Sequence, residues 1–204
     1  MLKADGVEYH SAMKKRPVRR GVSKAEWLEA GLESLARGSV SSLSIESLAK
    51  KLGIAKSGFY WHFKNRDELL RELLNYWIHE ITEVVTVNTE FLAMKPAERL
   101  LRTAEMIFDY RLTRWEMAFR HWALEDSEAA RVVRKANRMR LEYLLLSFHE
   151  LGFTGEDAEM RAMTLLCYVT WDMHTFAYIS RKKRRSMIAA RIDLLITPIE
   201  EGCV

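Results

Sequence analysis

Lys56, Ser57, Gly58, Tyr60, Trp61 and His62 place an ammonium, a hydroxyl, bare backbone, two flat rings and an imidazole within one short stretch. Donors of this kind serve phosphate oxygens and base edges. Gly58 costs a helix interior about 1 kcal/mol relative to Ala, which suits a position where something approaches the backbone closely, as a major-groove base edge would. Phe59 and Phe63, four apart, can anchor one face and leave the polar set on the others. An aromatic triplet in isolation fits packing against a neighbouring helix equally well. The segment before it favours nucleic-acid contact.

That segment begins at Ser44, whose side-chain oxygen can cap a helix carrying Ile45, Leu48, Ala49 and Leu52 at helical spacing. Gly53 can stop it in a left-handed conformation, and Ile54 re-enters the apolar set before the next turn. Small Ala49 on the inner face allows a second helix to cross closely. Residues 44–63 therefore have the layout of a DNA-reading helix-turn-helix.

Supporting elements follow the same logic. Ser23 and Glu26 have capping-box spacing ahead of a first helix with Trp27, Leu28, Gly31, Leu32, Leu35 and Ala36 inside, completing a three-helix head. Asn65 can cap a fourth helix that continues towards Phe91. Helical periodicity then recurs near 97–112, 114–124, 127–151, 156–180 and 184–198, with no strand alternation. Thr154 and Asp157 suggest a capping box with Asp in place of Glu. The expected fold is all-α with about nine helices. Residues 1–22 form a flexible basic arm, 23–66 a DNA-binding head, and 67–204 an effector-binding and dimerisation body.

Of 204 residues, 49% are hydrophobic, and the net charge is +4. Its distribution is more informative: residues 1–66 carry 13 Lys and Arg against 6 Asp and Glu, and the remainder carries 19 against 22. A basic head on an acidic body fits docking of one end onto phosphates. In the arm, Arg16, Arg19 and Arg20 suit phosphate or minor-groove contact, although a solvated tail adding nonspecific affinity reads equally well. The RKKRR run, Arg181 to Arg185, reads as a solvated loop.

No membrane span, secretion signal or catalytic motif is visible, so a non-enzymatic cytoplasmic protein is expected, with neither cofactor nor metal. His79 with Glu83, and His121 with Glu125, fit surface helix pairs better than metal sites. Cys167, inside an apolar run, reads as core, and Cys203 as a terminal thiol. The helix around Leu165, Leu166, Val169 and Met173 is apolar nearly all round, which calls for cover on both sides. A second copy of the chain could supply the outer cover, or the final helix alone could.

From Leu48 to Leu70, LAKKLGIAKSGFYWHFKNRDELL resembles the tetracycline-repressor (TetR) family of bacterial transcription regulators. Gly53, the Lys-Ser-Gly run, Tyr-x-His-Phe ending at Phe63 and the start of the next helix fall at the family's spacing. Ala55 departs from it by replacing a Ser or Thr cap. The resemblance implies a dimer on a pseudo-palindromic double-stranded DNA operator, released by a small-molecule effector. Lys56, Ser57 and Gly58 would approach base edges, whereas Ser44, Tyr60, Trp61, His62, Lys64 and Arg66 would hold phosphates.

The resemblance also places an effector cavity in the body, for which Phe108, Trp115, Phe119, Trp122, Tyr168 and Trp171 are candidates, with His121 and His174 as polar contacts. The effector is expected to be apolar or aromatic. Leu165, Leu166, Val169, Met173, Ile188 and Ile192 would face the second protomer. An activator would use the same DNA contacts as a repressor, and a helical ligand-binding protein with a vestigial head is the alternative from another class.

Overall fold

The computed structural model describes residues 21–198, which are helical with no strand among them. Helix α1 (Lys24–Leu35) starts in the expected capping box. Ser23 Oγ accepts from the Glu26 amide at 3.3 Å, while the Glu26 carboxylate accepts from the Ser23 amide at 2.8 Å. After a 3₁₀ turn, Val40–Ser42, helix α2 (Ile45–Leu52) is capped by Ser44 Oγ, which accepts from the Ser47 amide at 3.1 Å. Gly53 ends α2 at φ +68°, the left-handed conformation that glycine adopts without a Cβ clash. Lys56–Trp61 follows as a 3₁₀ turn rather than the expected α-helix, and Ala55 supplies no side-chain cap to it.

Helix α3 (Arg66–Ile78) is capped by Asn65 Oδ1, which accepts from the Glu68 amide at 2.9 Å. It continues through a π-helical turn, His79–Glu83, into Val84–Thr86. The rod breaks before Asn88, which caps a separate short helix α4 (Thr89–Ala93), so the uninterrupted run to Phe91 expected from periodicity is corrected. The body then adds α5 (Pro96–Asp109), α6 (Glu116–Glu125), α7 (Ser127–Glu150) and α8 (Gly155–Thr175). It closes with α9 (Arg181–Ser186) and α10 (Ile188–Ile196).

Other local expectations change as well. Thr154 makes no side-chain cap, and the Asp157 carboxylate that would complete the box accepts from Arg161 Nε at 2.8 Å instead. The RKKRR run is helix α9, capped by Ser180 Oγ, and two of its five cations, Arg184 and Arg185, are met by acids from other helices. Arg185 Nε lies 3.0 Å from Asp109 and its Nη2 lies 3.1 Å from Glu105, so the like-charged sequence is balanced at its C-terminal end while Arg181, Lys182 and Lys183 stay exposed. Cys167 is exposed, not core.

Helix α3 joins the head to the body. Leu69, Leu73 and Leu74 are buried near its start, where it packs on α1. Trp77 stacks on Phe119 of α6 at a centroid distance of 4.4 Å. Helix α7 lies between α6 and α8, and α10 packs on α5. Two buried charges lock this bundle. Arg99, fully buried on α5, donates to the Leu92 carbonyl at 3.1 Å and to Glu150 at the end of α7. Glu116, also fully buried, accepts from Arg140 at 3.1 Å and pairs with Arg120 at 2.9 Å. A buried charge is tolerable only when paired and hydrogen-bonded in this way.

Candidate nucleic-acid interface

Phe59 and Phe63 are buried as their spacing requires, with Phe59 edge-on to Trp27 of α1 at 5.4 Å and stacked on Phe63 at 5.1 Å. This anchor leaves Lys56, Ser57, Tyr60, Trp61 and Lys64 exposed, and Gly58 and His62 half-buried. Trp61 is 87% exposed, an expensive position for an indole in water unless a partner covers it. In a 3₁₀ turn side chains three apart eclipse, so Ser57 lies in line with Tyr60 and Gly58 with Trp61. An added Cβ at Gly58 would lie 3.1 Å from Ile54 Cδ1, a tight contact that the tip of the Ile54 side chain would have to relieve by a small shift. Gly58, Ser57, Trp61 and His62 border an open cleft whose far wall is Gly21 to Ser23, where α1 begins.

Several predicted contact residues already have partners. Lys56 Nζ is ion-paired with Glu46 of α2; their mutual hydrogen bond raises the Lys56 pKa and lowers that of Glu46. His62 Nε2 donates to the Val22 carbonyl at 2.7 Å, tying the end of the turn to the entry of α1. Arg66, expected at a phosphate, instead donates through Nε to the Leu43 carbonyl at 2.9 Å and through Nη2 to that of Val40. It closes the connection between α1 and α2. Ser44 serves as the α2 cap, which directs its neighbouring amides outward at a helix N-terminus. Arg16, Arg19 and Arg20 lie outside the described residues, as does Cys203.

In the body, an inner cavity between the α3 rod, α5, α7 and α8 adjoins an outer cleft between α5, α8 and α9. The inner one, about 40 Å³, is walled by Ile81, Thr82, Thr103, Arg140, Leu165 and Thr170 among others. The outer cleft, about 400 Å³, contains Phe108 and Tyr168 of the predicted set, with Arg111, Asp172, Arg181 and Arg184. Trp115, Phe119 and Trp122 are buried in the core and border neither cavity, because α6 turns them towards α3 and α7. His121 is exposed, and Trp171 and His174 sit half-buried beside α6; His174 Nε2 is 3.3 Å from the Thr113 carbonyl. Sequence reasoning missed the arginines. The RKKRR run was the visible signal for two of them, but its role depends on α9 folding over the cleft.

The predicted dimer residues are also redistributed. Leu165, Ile188 and Ile192 are buried within their own chain, and Leu166, Val169 and Met173 are half-buried along the cavities. The apolar groups left outward on α8 are Met160, Met163 and Cys167, with Leu194 on α10. An apolar run conceals this choice because only the packed bundle decides which face turns inward. His79 lies 3.3 Å from Glu83, a surface pair, and no group of three metal-ligand side chains occurs among the described residues.

Comparison with known proteins places this geometry. Residues 28–73 match the family of bacterial regulatory proteins, tetR family. The transcriptional regulator AcrR of Shigella flexneri, of the helix-turn-helix type, is 25% identical over 146 residues, covering 71% of this chain; the match spans 57% of that regulator's length. A transcriptional regulator from Rhodococcus sp. Rha1 superposes with a TM-score of 0.66 at 20% identity, covering 86% of this chain and 96% of the other. The regulator FadR from Bacillus subtilis, solved with stearoyl-CoA, superposes at 0.62 and 16% identity, covering 87% of this chain and all of its own. The matched segment contains the two helices, the glycine turn and the exposed turn described above, so the head of this chain, with the start of α3, is similar to the bacterial regulatory proteins of the tetR family.

Proposed function

We propose that the protein is a homodimeric repressor whose two heads enter successive major grooves of a pseudo-palindromic operator. The observation that carries this reading is the recognition turn, with Phe59 and Phe63 buried beneath exposed Lys56, Ser57, Tyr60 and Trp61. Lys56, Ser57 and Gly58 approach base edges, while Tyr60, Trp61 and Lys64 hold phosphates and sugars. Residues 1–22 add basic contacts alongside. The exposed Met160, Met163 and Cys167 of α8, with Leu194 of α10, supply the surface for a second protomer.

The body, from residue 67 onward, takes a small-molecule effector between α3, α5 and α8. Ile81, Thr82, Val85 and Thr86 carry the α3 rod along the inner cavity, and the same rod begins beneath the head. An effector that binds more tightly when this rod is displaced changes the spacing of the two heads and releases DNA. The π-helical turn His79–Glu83 is where the rod departs from regular geometry, a feature that recurs at functional sites. FadR, similar in fold, was solved with an acyl-CoA, which supports an effector chamber in this body.

Selection from random DNA, followed by gel shift, tests the reading. The expected product is an inverted repeat with half-sites about one helical turn apart or a multiple of it. Recovery of no enriched sequence, or of a single unrepeated site, contradicts it.

A further inference from the structure

We infer that the outer cleft between α5, α8 and α9 binds an amphipathic anion, with a carboxylate or phosphate head at Arg111 and Arg181 and an apolar tail directed at the inner cavity. The inference rests on the reading of the body as an effector chamber and adds a ligand class to it.

The cleft has three guanidinium groups against one carboxylate: Arg111, Arg181 and Arg184 face Asp172 across it. Asp172 is buried and already engaged. Arg184 Nη1 binds its Oδ2, and Arg191 Nη1 lies 3.7 Å from its Oδ1. Arg184 is thereby neutralised. Arg181 uses Nη2 to bind the Asp109 carbonyl at 2.9 Å, and its guanidinium lies 5.5 Å from the Phe108 ring centre. Its other donors remain available. Arg111 has no side-chain hydrogen bond or ion pair among the described residues.

Arg111 is also the one non-glycine residue with positive φ among the described residues, at +53°. An arginine backbone in the left-handed region is strained, and such strain persists where surrounding structure fixes a side chain in a required place. Here the turn after α5 is held by the Leu112 amide on the Ile107 carbonyl at 3.0 Å and by the Arg111 amide on that of Phe108 at 3.3 Å. The strained residue borders the cleft with a cation that nothing among the described residues pairs.

Behind this cationic mouth, the walls become apolar. Ala104, Ile107, Thr113 and Val169 border both the outer cleft and the inner cavity, so these four side chains are the partition between them. The outer volume of about 400 Å³ lies within the range of small-ligand sites, about 300–1,000 Å³. A cationic entrance before an apolar interior recognises a molecule with the opposite charge at one end and hydrocarbon at the other. A neutral aromatic would leave the Arg111 charge unanswered.

Calorimetric titration of the full chain, without DNA, with decanoate, decyl phosphate, decanol and decylammonium tests the inference. Both anions should bind at least about tenfold tighter than decanol, as expected for charge-assisted hydrogen bonds. This preference should shrink with added salt. Tighter decanoate assigns a carboxylate ligand, and tighter decyl phosphate a phosphate ester. Arg111→Gln with Arg181→Gln should remove the preference while leaving decanol affinity within about twofold. Val169→Phe, at the partition, should weaken all tailed probes yet preserve the order of heads.

Absence of binding by every probe, equal or tighter binding of decanol or decylammonium, or equal loss of all probes in the double variant overturns the inference. Failure of the operator selection leaves these titrations intact, so the two readings fail separately.

Discussion

The ammonium of Lys56, at the start of the recognition turn, is bound by the carboxylate of Glu46, ten residues earlier on α2. The free protein thus holds the leading cation of its proposed DNA-facing surface in an exposed ion pair. A phosphate or base acceptor must compete with Glu46 for it. The carboxylate also places a negative charge close to the phosphate backbone, which disfavours nonspecific docking more than a well-fitted operator complex.

Glu46→Gln should therefore increase affinity for random DNA several-fold and reduce discrimination for the operator. The salt dependence should steepen by about 0.9 in log–log slope if Lys56 then neutralises one more phosphate. Anisotropy titrations over a salt series read both quantities. Unchanged random-DNA affinity would remove the restraining role. Acid should imitate the variant: the Glu46 carboxyl has a lowered pKa because it accepts from Lys56, so the pair is intact above the ordinary carboxylate range and is lost as pH falls through the lowered value.

Arg66 gives a contrasting expectation. Its guanidinium holds the Leu43 and Val40 carbonyls, so Arg66→Ala should destabilise the head by about 1.5–3 kcal/mol, the range for hydrogen bonds to a charged group. DNA affinity measured well below the melting temperature should retain its salt slope. A slope reduced by about one unit with unaltered thermal stability would return Arg66 to the phosphate contacts.

These two arginine and lysine positions show where sequence reading stops. The caps at Ser23, Ser44 and Asn65 and the left-handed stop at Gly53 were legible because each is settled within a few residues. Phe59 and Phe63 were legible because their spacing defines a face. The destinations of Lys56 and Arg66 were not, since Glu46, Val40 and Leu43 approach them only after the head folds. The same applies to α9: its five consecutive cations suggest solvation until Asp109, Glu105 and Asp172 are brought from other helices. The outward face of α8 was concealed by an apolar run with no polar side to orient it.

Glu116 illustrates a structural charge that composition cannot distinguish from a surface one. Fully buried, it accepts from Arg140 and pairs with Arg120. Glu116→Ala should cost about 3–5 kcal/mol, because both guanidiniums lose a buried counter-charge. Urea unfolding with an unchanged denaturant slope would measure it. A loss below about 1 kcal/mol would mean that water readily replaces the carboxylate.

The exposed stripe on α8 makes the proposed dimer testable without DNA. Met163→Asp places a charge among Met160, Cys167 and the second protomer, and it should yield monomers at micromolar concentration in sedimentation. In the native chain, alkylation of Cys167 should slow as concentration rises through the dimerisation range. Concentration-independent alkylation, together with an unaltered sedimentation coefficient in Met163→Asp, would place the interface elsewhere.

Thr82 offers the most direct test of how the cavity reaches the head. It is fully buried in the π-helical turn, borders the inner cavity, and accepts at 2.9 Å from Nε of Arg140 on α7. Nη2 of that arginine is buried without a hydrogen-bond partner, so its hydrogen bonds to Thr82 and Glu116, with the Trp77 ring 5.4 Å from its guanidinium, fix its orientation. Thr82→Val keeps the shape and removes the acceptor, leaving a second guanidinium nitrogen unanswered at a cost of about 1–3 kcal/mol. The α3 rod then loses one of its ties to α7 at the point where its geometry departs from the α-helix. DNA affinity of the ligand-free protein should change little, whereas the reduction in affinity caused by saturating decanoate should diminish, since less of the ligand's differential binding is transmitted through α3. Anisotropy with operator DNA, with and without decanoate, measures that ratio. An unchanged ratio in Thr82→Val would show that coupling bypasses this turn.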